Sequence, residues 1–122
     1  MKNLEDILEK LVNIPIDFYE KGTVSFYDLV QESGYWDVSS EISEVVIYNK
    51  LLNCPHVADS WIRWSEDKRT NEGWSCSSND KSEYVVSYLS PEKEYVYGKY
   101  KDKLEACAIY IKHEVSNDTY GE

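Results

Sequence analysis

The sequence predicts an α+β domain: N-terminal helices, an antiparallel meander of three to four strands, and a C-terminal helix packed on the sheet. Three observations carry that prediction. Apolar residues recur at helical spacing through the first half; after Pro55 they fall into short aromatic-rich runs between turn residues; after Asp102 helical spacing returns. With 122 residues, 42% of them hydrophobic, the chain has material for one core and is too apolar for a disordered segment. Residues 1–122 therefore read as one domain, mainly helical over 1–54, sheet over 60–100, with a closing helix over 102–115.

Leu4, Ile7, Leu8, Leu11 and Val12 make one helical face, with Asn3 as N-cap, Asp6 three residues on, and Pro15 as its end. A linker follows at Lys21-Gly22. Ser25-Phe26-Tyr27-Asp28 matches a capping box and opens a short helix that Gly34 stops. Asp37 is placed to cap a third helix carrying Ile42, Val45, Val46 and Leu52, closed by Pro55. Trp61-Ile62-Arg63-Trp64 reads as a short alternating strand, although Val57–Lys68 also fits a continued helix. Asn71-Glu72-Gly73 is a turn before Trp74-Ser75-Cys76-Ser77, and 77–81 is a polar loop. Tyr84 to Leu89 and Tyr95 to Tyr100 are strands joined by the turn Ser90-Pro91-Glu92-Lys93. Asp102 and Glu105 cap a final helix bearing Leu104, Cys107, Ala108, Ile111 and Val115, and Ser116 to Glu122 reads as a frayed tail.

Charge narrows the function classes. The formal net charge is −10, from 13 basic and 23 acidic residues. So acidic a surface repels phosphate and anionic lipid, which argues against nucleic acid or membrane as a direct ligand and favours a basic protein. No basic residue lies between Lys21 and Lys50, whereas that stretch holds Asp28, Glu32, Asp37, Glu41 and Glu44 beside Phe26, Tyr27, Tyr35, Trp36 and Tyr48. Eleven Tyr and four Trp against two Phe give rings with polar edges, suited to half-wet interfaces. Three cysteines without paired spacing point to reduced thiols, and neither an apolar leader core nor a membrane-length run is present. A cytoplasmic location is the expectation.

Chemistry is harder to find. His56 and Cys54 offer a base and a thiol, but they flank Pro55 at a helix end; His113 sits near the end of the last helix, where a dipole contact explains it. Zinc-ligand spacing, a calcium loop, a P-loop and a dinucleotide fingerprint are all missing from the sequence. The reading is a non-enzyme with no catalytic, cofactor or metal residues, for which a small-molecule ligand is not expected. Two surface patches then compete as the partner-binding face. One comprises Asp28, Glu32, Tyr35, Trp36, Asp37, Glu41 and Glu44. The other comprises Glu66, Asp67 and Glu72 beside Trp61, Trp64 and Trp74, of which two tryptophans are expected inside, with 66–69 as a solvated hairpin tip.

Trp64-Ser65-Glu66-Asp67-Lys68-Arg69, Gly73-Trp74, Tyr84-Val85-Val86 and Glu105-Ala106-Cys107-Ala108-Ile109-Tyr110-Ile111 together resemble the small bacterial immunity proteins encoded beside polymorphic toxins, including those of contact-dependent growth inhibition. The resemblance spans about residues 60–115. It implies a cytoplasmic antitoxin that grips the C-terminal domain of a cognate toxin, a basic nuclease above all, over its active site or a neighbouring exosite. The alternative from the same charge pattern is an acidic DNA mimic that blocks a restriction or defence enzyme.

Overall fold

The computed structural model describes residues 3–22, 24–67 and 73–116. Its elements run α1 (Leu4–Val12), α2 (Ile14–Lys21), α3 (Phe26–Ser33), a 3-10 segment (Tyr35–Glu41), α4 (Glu44–Asn53), α5 (Val57–Asp67), β1 (Gly73–Ser78), β2 (Tyr84–Leu89), β3 (Glu94–Tyr100) and α6 (Lys103–Ser116). The expected α+β class is what is found: helices first, a three-stranded antiparallel meander in the order β1-β2-β3, and a C-terminal helix on the sheet.

Local chemistry sets the helix ends. Asn3 accepts from the Glu5 amide at 2.7 Å and Ser25 from the Asp28 amide at 3.1 Å, so both sequence-read N-caps operate. Gly34, at φ 88°, stops α3 in the left-handed region that glycine enters without a Cβ penalty. Asp102 caps α6 by accepting from the Leu104 amide at 2.9 Å.

Several expectations fail, each for a visible reason. Pro15 does not merely end α1: it occupies the first turn of α2, where its missing N–H is no loss, and the linker at Lys21-Gly22 is the α2 C-cap. Asp37 lies inside the 3-10 segment, and Ser43 caps α4 by accepting from the Val46 amide at 3.3 Å. That later start rephases α4. It buries Ile47 and Leu51 and leaves Val45 and Leu52, assigned from sequence to the apolar stripe, 66% and 52% exposed. Residues 61–64 are helix, not strand, so the sheet begins at Gly73 and not near residue 60. The hairpin-tip reading also falls, because Glu66 and Asp67 end α5. Ser116 is the last residue of α6 rather than the start of the tail; the rest of the expected tail, 117–122, lies outside the described residues.

The core centres on α6, which is buried nearly all round: Ala106 to Ile111, Glu114 and Val115 are all shielded. A helix apolar on every side belongs inside, and here it packs on α4, α5 and the sheet. Trp61 of α5 is fully buried, edge-on to Phe26 and Tyr110, and its indole N–H donates to the Val12 carbonyl at 2.9 Å. Glu114 is buried, 7% exposed, and its carboxylate accepts from Tyr110 at 2.7 Å and from the Trp64 indole at 3.2 Å. Hydrogen bonds of this kind make a buried charge tolerable. On the edge of the sheet nearest α5, the Ser65 hydroxyl accepts the Cys76 amide at 2.9 Å, so that strand edge is covered.

Lys50 joins α4 to α1 through Glu5 and Glu9, each at 2.7 Å. The bond from Lys50 holds the Glu9 carboxyl below its ordinary value of 4.5. A lowered carboxyl contributes stability above its unfolded value, and loses it as pH falls through the folded one. Carboxyl titration followed by NMR should therefore give Glu9 a midpoint below 4.5 in the native chain, rising towards that value in Lys50→Met.

Candidate protein-binding surface

The segment without basic residues folds as α3, the 3-10 segment and the start of α4. Asp28 and Glu32, one helical turn apart, are both exposed on α3; Asp37 and Glu41 are exposed on the 3-10 segment that packs beside it. Among the described residues, Asp28, Asp37 and Glu41 make no ion pair. The same two elements carry two exposed aromatic rings: Tyr27 is 47% exposed and Trp36 44%.

Trp36 is held in place. Its indole N–H donates to the Val115 carbonyl of α6 at 2.9 Å, which fixes the ring while one face stays wet. Tyr35, also read from sequence as a contact residue, is instead fully buried. Its hydroxyl bonds the Ser116 hydroxyl at 2.7 Å and accepts from Lys112 at 2.7 Å. It anchors the face from beneath and does not belong to it.

Lys112 is the residue that sequence reasoning missed here. It lies 76 positions beyond Trp36 (112 minus 36), yet its ammonium spends all three donors on this segment: on Tyr35 Oη, on the Ser39 carbonyl at 2.8 Å and on the Ile42 carbonyl at 2.7 Å. A 3-10 stretch of this length is weak by itself, and Val38 interrupts it with a non-helical turn. The clamp from α6 supplies the rigidity. Lys112→Met should lower stability by about 2–3 kcal/mol by leaving two carbonyls without a charged donor. Amide exchange should quicken first over Tyr35–Glu41, ahead of the sheet.

Glu44 is only partly exposed. Its Oε1 lies 3.7 Å from His113 Nε2, and the His113 ring stacks on Trp74 at 4.1 Å. His113 is thus packed between Trp74 and Tyr97 as well as being near a helix end.

The tryptophans of the second patch are drawn inward. Trp61 and Trp74 are buried, and Trp64 stacks on Phe26 at 4.5 Å, so its tryptophans face the core. Asp67 accepts from Tyr19 at 2.7 Å and lies 3.4 Å from Arg63. Burial, reinforced by Asp67, pushes the Tyr19 hydroxyl up to about 12. Of this patch Glu66 and Asp67 stand exposed, and Glu72 lies outside the described residues.

The candidate reactive groups are placed as follows. Cys54 is half-buried, its thiol donating to the Lys50 carbonyl, and burial raises its pKa, which disfavours the thiolate. His56 is exposed. Among the described residues no three His, Cys, Asp or Glu side chains are grouped to hold a metal ion, and no helix is long and apolar enough to cross a membrane. No family model matches the chain, and neither curated proteins nor solved structures provide a match.

Proposed function

We propose that this chain is a non-enzymatic cytoplasmic immunity protein that binds the C-terminal domain of a cognate toxin and neutralises it. The face formed by α3 and the 3-10 segment is the contact surface. One observation supports this above the rest: four exposed carboxylates share α3 and the 3-10 segment with an exposed indole ring that a hydrogen bond to α6 holds in place. Such a face suits a partner that is itself basic because it holds phosphate, as the substrate side of a nuclease must be. Inhibition then needs no chemistry from the inhibitor, only occlusion. The resemblance read from residues 60–115 points to the same role.

The test is co-purification with the C-terminal domain encoded by the neighbouring reading frame. The proposal expects a one-to-one complex whose association slows as salt is raised. Capture of several unrelated DNA-binding enzymes with similar affinity would instead favour the DNA mimic.

A further inference from the structure

A cleft of about 340 Å³ opens between the start of α4, the end of β3 and the exposed flank of α6. Ala108 and Ile109 form its floor, Val45 and the rings of Tyr48 and Tyr100 its walls, and Glu44 and Glu105 its rim. Its volume is at the low end for a ligand site, suited to one long side chain rather than an extended molecule. The walls are braced. Tyr48 donates to Asp102 Oδ2 at 3.0 Å, while the other oxygen of that carboxylate caps α6. Tyr100 lies across Gly98, where an added Cβ would meet the ring carbon Cζ at 2.6 Å, so the glycine makes room for the ring. The nearby Lys103 is drawn to Asp59 on α5. Burial, then Tyr97, Glu44 and Glu105, hold the Tyr100 hydroxyl above its ordinary pKa.

We infer that this cleft receives an arginine side chain of the partner protein. The apolar floor takes the methylene stem, and the guanidinium lies at the acidic rim against the tyrosine rings. Arginine fits better than lysine because its planar head stacks on aromatic faces and offers a carboxylate a two-pronged donor fork. Val45 and Leu52, exposed in line on α4, extend the cleft as an apolar shoulder for the residues flanking that arginine. The inference rests on the protein-binding reading and adds a second contact, which begins three residues beyond Glu41.

The test is ¹⁵N NMR titration of the full chain with the peptide acetyl-Leu-Arg-Leu-amide and with its neutral citrulline counterpart. The arginine peptide should shift the amides of Val45, Tyr48 and Ile109. Citrulline should bind about tenfold more weakly, the size of one charge-assisted contact. Glu44→Gln with Glu105→Gln should abolish the difference, whereas Asp28→Asn with Asp37→Asn should leave it intact. Equal shifts from both peptides, shifts confined to residues 28–41, or none at all would overturn the inference. A toxin complex that forms although the peptide avoids the cleft would sink the cleft and leave the function standing. Peptide binding without a toxin complex would do the reverse.

Discussion

Trp61→Ala should lower the unfolding free energy by about 3–5 kcal/mol, the usual cost of emptying a large aromatic site. The ring touches Phe26 and Tyr110 on different helices, so its removal opens a void where α3, α5 and α6 meet. It also strips the Val12 carbonyl of its donor. Trp61→Phe should recover part of the loss by refilling the space, but not the hydrogen bond. For a domain whose total stability is about 5–15 kcal/mol, the alanine variant should be partly unfolded at working temperatures. Urea unfolding followed by tryptophan fluorescence measures both variants. A loss under 1 kcal/mol for alanine would mean that the three helices do not depend on this ring.

Neutralising the face should have the largest effect on binding. Asp28→Asn, Asp37→Asn and Glu41→Gln together should slow association with the toxin domain about tenfold to a hundredfold at low salt, because opposite fields speed encounter on that scale. The effect should shrink as salt screens the field, with dissociation changed far less. All three side chains are exposed and make no ion pair among the described residues, so the variant should fold normally. Stopped-flow association at two ionic strengths separates these claims. Unchanged rates at low salt would remove the acidic face from the interface.

The contrast between what the sequence reveals and what it hides follows the range of the interactions. Asn3, Ser25, Gly34 and Asp102 act within three residues of themselves, and each was readable as a cap or stop. Strands β2 and β3 were legible because their aromatic runs are bounded by turn residues. Residues 61–64 were not, since four residues fit either period; Val57, Ala58 and Trp61, buried at helical spacing, show that a longer window held the answer. Taking Asp37 instead of Ser43 as the cap of α4 turned the helix through the wrong angle and hid the exposed Val45 and Leu52.

The candidate site divides the same way. Charge and aromatic content along 22–49 are local properties, and they located the acidic face. Burial of Tyr35 depends on Lys112 and Ser116, contacts 77 and 81 residues away in the chain, which no local pattern encodes. The register shift that inserts Tyr97 between Val96 and Gly98, and brings its ring to Trp74 and His113, likewise arises only once the strands pair. Polar-edged aromatics signal an interface or a core equally well, and only packing divides Trp36 from Trp61.

The central claim is neutralisation of one cognate toxin domain, and growth rescue tests it most directly. The C-terminal domain of the neighbouring reading frame, the proposed toxin, is expressed in cells alone, with this chain, or with its Asp28→Asn, Asp37→Asn, Glu41→Gln variant. The account predicts arrest with the toxin domain alone, full growth with the native chain, and partial growth with the variant. Arrest that persists beside abundant, folded native chain would contradict it.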